Sequence, residues 1–347
     1  MAPTELQSTR YQVSDTVEAI EFYYDKGWTD GLPVVPPTES SIRAMLDAAG
    51  LEPGEEITFI ENRQVSVTAE KVAINTVMAG CKPEYMPVVV AAVEALGDPV
   101  YSYHGPATST GGSAVFMLVN GPIARELGMN DGDNLFGPGW RPNATIGRAV
   151  RLVMRNVIGT IPGRLDRSTL GHAGKYSFCI AENEAESPWQ AVHVERGFRP
   201  DQSTVTILAA LAPHQFYNQL SNTAEGILTT ACAHMRVAAG TGRQPQYVLV
   251  LAGEHMKVIA DDGWSKDDIR RFVYENSQIS IAELKRINLR AGEVAAEDET
   301  TMRPLLYEPE DLIVVAAGSR AGAFSAHIPG WGSRTTSRSV TREIRRP

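Results

Sequence analysis

The sequence predicts an α/β (or α+β) fold in which mixed sheets are flanked by helices. Three observations carry this prediction. Short apolar runs of strand length, at residues 114–119, 204–210, 247–251 and 311–316, alternate with segments of helical period. One helical segment, residues 87–96, is apolar almost all round and needs a substantial core to bury it. Two stretches also repeat one order of parts: buried helix, strand, Gly turn, short helix, a turn with Trp140 or Trp264, and a helix with paired arginines (Arg148 and Arg151; Arg270 and Arg271). This echo predicts an internal duplication of an α/β unit. On that reading, residues 1–56 are N-terminal helices and a Pro-rich arm. Residues 57–200 are a first α/β half, and 201–347 a second half with a C-terminal Gly-rich strand and loop.

Each element has a local reason. Ser14, Asp15 and Thr16 precede Val17, Ile20, Phe22 and Tyr23, the pattern of a capped amphipathic helix. Gly27-Trp-Thr-Asp-Gly-Leu-Pro-Val-Val-Pro-Pro-Thr38 cannot be helix, because its prolines fix an extended backbone. Such a stiff loop either lines a site, with Asp30 offered to substrate, or wraps the core as an arm. Thr38 or Ser40 caps a helix over 42–49 that stops at Gly50. A strand over 57–61 and a helix over 69–78, capped by Thr68, follow.

Gly80-Cys81-Lys82-Pro83 then forms an elbow into the buried helix, which starts at Pro83 or Glu84. A cysteine there lies near the free N–H groups of the second helix, whose field favours thiolate. Cys81 is therefore the leading candidate for chemistry. The other reading of it is a small buried residue.

Residues 101–113 are loop, with His104 as a candidate base and Thr110 and Gly111 as anion-binding groups. The strand 114–119 ends in Asn120-Gly121-Pro122 before a short helix, an arrangement that leaves N–H groups free for an anion or forms a plain turn. Residues 130–143 form a long loop around Trp140. Asn143 or Thr145 starts a helix through Val157 that carries Arg148, Arg151 and Arg155. Beyond a loop at 159–171, His172 sits in Gly-His-Ala-Gly. A strand over 175–180 contains Cys179 and ends among Glu182, Glu184 and Glu186. Carboxylates at a strand end suit acid–base chemistry or face water.

Further on, the reading gives a strand over 190–197, a helix over 223–239 with Cys232 and His234, and a helix from 253 to Ala260. Ser265 caps a helix opening on Lys266, and another helix covers 280–286. Residues 317–332 are a Gly-rich run after the last clear strand.

Composition narrows the function. The chain has 347 residues, 43% of them apolar and 21% charged, which suits a folded protein that needs no staple. Net charge is −9 and no basic tract interleaves with aromatics, which argues against nucleic acid. The basic tail from Arg334 to Arg346 reads as a solvated end. No apolar run reaches the ~20 residues that span a bilayer, and the N-terminus lacks signal-peptide character. Three widely spaced cysteines are neither a disulfide framework nor a CxxC zinc site. A cytoplasmic location is expected.

The blocks Gly27–Thr38, Ala73-Ile-Asn-Thr-Val-Met-Ala-Gly-Cys-Lys-Pro-Glu-Tyr85 and Asn143-Ala-Thr-Ile-Gly-Arg-Ala-Val-Arg151 resemble those of a bacterial family of hypothetical proteins. Gly171-His-Ala-Gly-Lys-Tyr-Ser-Phe178 and Gly263-Trp-Ser-Lys266 extend the resemblance over most of the chain. That family is associated with small proteins bearing a Cys- or selenocysteine-containing UGSC motif. The resemblance therefore implies a two-part thiol or selenol system, and it carries over no catalytic residues.

Three functions follow as expectations. The first is an enzyme acting on a small anionic substrate through a Cys81 nucleophile or redox centre, a thiol-dependent lyase, transferase or reductase. His104, His172 and Glu182 would assist, and Asp30, Thr110, Gly111, Trp140, Asn143, Arg148 and Lys266 would bind substrate. The second is a metal-dependent hydrolase or lyase with His and Glu ligands, although no HxH, HxxxH or HExxH spacing occurs and no ligand set is assigned. The third is a non-catalytic partner subunit of a separate thiol or selenol protein. No cofactor is named, and a homo-oligomer is compatible with each.

Overall fold

The computed structural model describes residues 4–237 and 243–347. Helices α1 (Thr16–Asp25) and α2 (Glu39–Ala49) precede an antiparallel pair, β1 (Glu56–Ile60) and β2 (Val65–Thr68). Then come α3 (Ala69–Ala79), α4 (Met86–Leu96), α5 (His104–Thr108), β3 (Ala114–Asn120), α6 (Pro122–Glu126) and the long α7 (Arg141–Asn156). Next are β4 (Cys179–Ala181), α8 (Val192–Glu195), β5 (Thr204–Ala210), β6 (His214–Tyr217) and α9 (Ala224–Val237). The rest is β7 (Tyr247–Leu251), α10 (Gly253–Asp261), α11 (Lys266–Asn276), β8 (Gln278–Ser280), α12 (Ile281–Arg286), β9 (Met302–Pro304), β10 (Leu312–Ala316), β11 (Phe324–Pro329) and β12 (Val340–Glu343). The fold is α/β with mixed sheets, as the sequence predicts. Among the described residues no helix is long and apolar enough to cross a membrane.

Two four-stranded sheets organise the molecule, in the orders β12-β5-β3-β4 and β6-β11-β7-β10. In each, one edge pair is parallel (β3 with β4, β7 with β10) and the next two pairings are antiparallel. The edge strands cross over. β6 follows β5 in the chain yet completes the second sheet, and β12 follows β11 yet completes the first. The sheets therefore do not divide at residue 200, since β5 and β12 both belong to the first. A bridge between Ala210 and Gly330 joins them at a corner.

Strand alternation sets the layers. Phe116 and Leu118 of β3, Leu208 of β5, Val248 and Val250 of β7, and Val315 of β10 share one buried cluster between the sheets. The opposite faces pack under helices. Met117, Val119, Val205 and Ile207 meet α3, α4 and α7, while Leu249, Leu251 and Val314 meet α9 and α11. The result is four layers, helix, sheet, sheet, helix.

The arm at residues 27–38 wraps rather than lines. Arg148 of α7 holds Asp30 through two bonds of 2.8 Å and also reaches the Pro33 carbonyl at 2.9 Å. Arg155 bonds the Gly27 carbonyl, Asn156 the Trp28 carbonyl, and Val35 N–H the Met78 carbonyl. The elbow is fixed from the same helix, with Arg141 Nε 2.9 Å from the Gly80 carbonyl. Gly80 itself has φ 90°, a left-handed conformation that suits glycine.

Several local expectations differ from the structure. Pro83–Tyr85 form a single 3-10 turn, so α4 starts at Met86. α7 starts at Arg141 because Pro142 fits its first turn. The strand expected over 175–180 shortens to β4, since Ala173–Lys175 turn instead. The strand expected over 190–197 is helix α8. Glu182 accepts the Val192 N–H at 2.8 Å, so a carboxylate from outside the helix satisfies its first free N–H and favours one helical turn over extension. Residues 238–239, expected to end the helix from 223, lie outside the described residues. The basic tail is a paired strand rather than a free end, although several of its arginines stay exposed. Its backbone forms β12, while Arg338 pairs with Asp311, Arg342 with Asp98 and Arg345 with Glu94.

Asp30→Ala should remove a partly buried bidentate pair and leave Arg148 without its carboxylate. It is expected to cost about 2 kcal/mol, read as a lower urea midpoint with an unchanged slope.

Candidate functional site

The residues expected to form one site fall in five places. Asp30 and Arg148 pair with each other, and Trp140 is the half-buried residue before α7. Asn143 is a clamp: its Oδ1 accepts the Asn130 N–H at 2.8 Å, and its Nδ2 donates to the Asn130 and Cys179 carbonyls. These groups satisfy one another and hold loops in place. His104 opens helix α5, which forms within the segment expected to be loop, and Thr110 and Gly111 follow it; all three are exposed near Trp331, whose indole N–H donates to Ser109 Oγ at 2.8 Å. His172 is held at both nitrogens. Nδ1 accepts from the Gly174 N–H, so the proton sits on Nε2, 3.3 Å from the Ala210 carbonyl. Burial lowers its pKa, which keeps it neutral.

Cys81 reverses the electrostatic expectation. It is 7% exposed and packs within the helical core. Burial pushes its thiol up to about 12, against the opposing pull of Thr145, Arg141 and Arg148. Desolvation of the thiolate outweighs these opposing groups because the elbow packs inside the helical core, away from water. Cys179 and Cys232 are buried as well, and burial raises both their pKa values.

Glu182 and Lys266 do meet. Lys266 is 4% exposed, and its Nζ lies 3.4 Å from Glu182, 3.0 Å from Glu195 and 2.7 Å from the Gln190 carbonyl. Glu182 also accepts from Asn120 Nδ2 at 2.6 Å. Burial raises the Glu182 pKa, and Lys266, the Val192 N–H and Asn120 oppose that rise. The anion site expected after Asn120 is occupied from within: Glu184 accepts the Gly121 N–H at 2.7 Å, and Ser203 Oγ accepts that of Ile123. This knot seals the carboxyl ends of β3 and β4.

The corresponding end of the second sheet is open. Residues 182–203 connect β4 to β5 and carry α8 with the knot, whereas only residues 317–323 connect β10 to β11. A cleft of about 480 Å³ lies there, at the carboxyl ends of the parallel strands β7 and β10. Its apolar wall is Val250, Phe324, Leu135 and Phe136, the last two from the loop after α6. Its polar groups are Asn134, Gln215, Ser319 and Ser325. The size and mixed lining are those of a small-molecule site.

Ser325 borders the cleft at the end of β11, and its side chain shares the helix-facing side of the sheet with Leu251 and Phe216, where it is 5% exposed. Its Oγ lies 2.8 Å from Nδ1 of His255, and His255 Nε2 lies 3.1 Å from the Asn218 carbonyl. A carbonyl only accepts, so Nε2 carries the proton and Nδ1 presents its lone pair to the Ser325 hydroxyl. Burial lowers the His255 pKa, with the Asn218 bond opposing, so the ring stays neutral. No local spacing marks this pair, because the two residues are 70 positions apart. The Gly-rich run at 317–332 pointed to the region. Among the described residues, no group of three His, Cys, Asp or Glu side chains is placed to hold a metal ion. Models of known protein families give no match to this chain, and curated proteins give none either.

In the native protein at pH 8, a thiol reagent should label none of the three cysteines within minutes, and all three after unfolding. Lys266→Met should cost about 3 kcal/mol by leaving Glu182 buried without a cation. Loss of Lys266 raises the folded-state Glu182 pKa further above its unfolded value. The native variant then holds a proton that the unfolded chain releases, so its deficit widens as pH rises from 5 to 8. Denaturant titrations at both pH values check this.

Proposed function

We propose that the protein is an enzyme that transfers or hydrolyses an acyl group of a small molecule in the cleft over β7 and β10, with Ser325 as nucleophile and His255 as its base. The observation that carries this reading is the 2.8 Å contact between Ser325 Oγ and His255 Nδ1 at the edge of the cleft, on the helix-facing side of β11, from which the serine must turn to meet substrate. A nucleophile, its base and a third group that orients the base stand in line, the Asn218 carbonyl being the third.

In the proposed step, Ser325 Oγ bonds to the substrate carbonyl carbon as its proton passes to His255 Nδ1. The imidazolium returns that proton to the leaving group, and water then releases the acyl group from Ser325. The Ala252 N–H, 3.2 Å from Oγ, fixes the serine oxygen, and the amino end of α10 favours negative charge developing beside it. No charged side chain is among the groups lining the cleft, which favours an uncharged acyl group over the anionic substrate expected from the sequence. A thiol mechanism has less support, since burial keeps Cys81 protonated.

A fluorophosphonate probe, with a panel of short-chain nitrophenyl esters, tests the reading. The probe should modify Ser325 in the wild-type chain. Ser325→Ala should abolish labelling, and His255→Gln should slow ester acylation about 10³-fold. The acylation rate should be level through neutral pH. It should fall on the acid side with a midpoint below 6.5, the ordinary histidine value, because protonation removes the base. Equal labelling of Ser325→Ala, or an unlabelled wild-type chain, rejects the assignment.

A further inference from the structure

A second pocket, sharing no lining residue with the cleft, lies against α7. Its charged floor is unbalanced. One carboxylate oxygen of Asp166 takes both Arg151 Nη2, at 2.6 Å, and Lys175 Nζ, at 2.7 Å. The other oxygen is occupied by the Ser168 N–H and hydroxyl. Two cations thus share one buried carboxylate, and each cation's side chain is only 16% exposed. One positive charge remains without a counter-charge in a place where water screens poorly.

Donors are left over as well. Arg151 commits only Nη2, so its Nε and Nη1 make no hydrogen bond among the described residues. The Tyr101 side chain lines the same pocket at 2% exposure, and its hydroxyl has no protein partner among the described residues. Tyr103, beside it, is already satisfied by Thr160 at 2.6 Å. A buried phenol next to an unbalanced guanidinium is a recognition pair, since buried polar groups are otherwise matched. Burial lowers the Lys175 pKa, which marks the surplus charge as costly in this pocket. The free space is about 20 Å³, room for one small group rather than a whole metabolite.

We propose that this pocket binds a small monovalent anion, a halide or the carboxylate head of a short organic acid, between Arg151, Lys175 and the Tyr101 hydroxyl. The charge of the site calls for one negative charge, and its small free space favours the smallest such groups.

Thermal unfolding of the full chain in chloride, formate, acetate and sulfate at matched ionic strength tests this. Chloride or formate should raise Tm saturably, with sulfate giving only a shallow, unsaturated response. Acetate saturating beside formate identifies a carboxylate-head site, and chloride alone identifies a halide site. Arg151→Gln should weaken the saturating anion about tenfold or more, and Tyr101→Phe several-fold. Tyr101→Phe removes only the hydroxyl, so it and Lys175→Gln decide the matter if Arg151→Gln fails to fold. A response equal for all anions, or unchanged in Tyr101→Phe and Lys175→Gln, overturns the proposal.

Discussion

Burial of both faces of the central strands is the constraint from which the rest follows. β7 sends Tyr247, Leu249 and Leu251 toward helices and Val248 and Val250 toward the opposing sheet, with no face left for water. Strands covered on both sides cannot carry chemistry along their length. Buried polar groups within the strands are few, such as Thr206 and His327, and the larger clusters gather at the carboxyl ends, where parallel pairs leave crevices. One such end holds the Asn120, Glu182 and Lys266 knot, and the other holds Ser325 and His255 beside open space. The difference between a sealed end and an open one is the length of one connection.

Helix α7 fixes the other side of the molecule. Its polar side chains reach out to main-chain carbonyls: Arg141 to Gly80, Arg148 to Pro33, Arg155 to Gly27, Asn143 to Asn130 and Asn156 to Trp28. The three sequence blocks at 27–38, 73–85 and 143–151 therefore meet in a single joint. Their unusual composition reflects that joint, where prolines stiffen the arm and arginines and amides supply the bonds that it lacks internally. Arg151 is the exception, turned toward a pocket rather than a carbonyl.

Much of the fold was legible because local signals and packing agree. Thr38 and Ser265 cap their helices through capping boxes, Gly50 ends α2 in a left-handed conformation, and β3, β5, β7 and β10 stand where apolar runs put them. The strands that escaped notice are edge or late partners whose residues carry little apolar signal. β6 contains His214 and Gln215, β11 contains His327 and Pro329, and β12 is half arginine and acid in its flanks. Their place is set by backbone pairing with distant strands, which no local window contains. The site was less legible for a related reason. Glu182 and Lys266 carried strand-end and cap signals and do meet, whereas Ser325 is an ordinary serine until β11 brings it to α10. Cys81 failed because a helix-end argument ignores what packs above the elbow.

The exchanged edge strands bear on how the chain is made. β5 is paired with β12 across some 135 positions of sequence, Thr206 with Thr341 and Val205 with Arg342. A ribosome that has released residues up to 210 has produced a first sheet whose outer strand does not yet exist. That β5 edge stays open until the tail arrives, and open edges invite pairing with other chains. Long-range pairing of this kind slows folding and makes it all-or-none. The nascent protein thus has a period of exposure that ends only with its final strand, and a break anywhere near residue 340 would leave both the β5 edge and the Asp98, Glu94 and Asp311 carboxylates without their arginines.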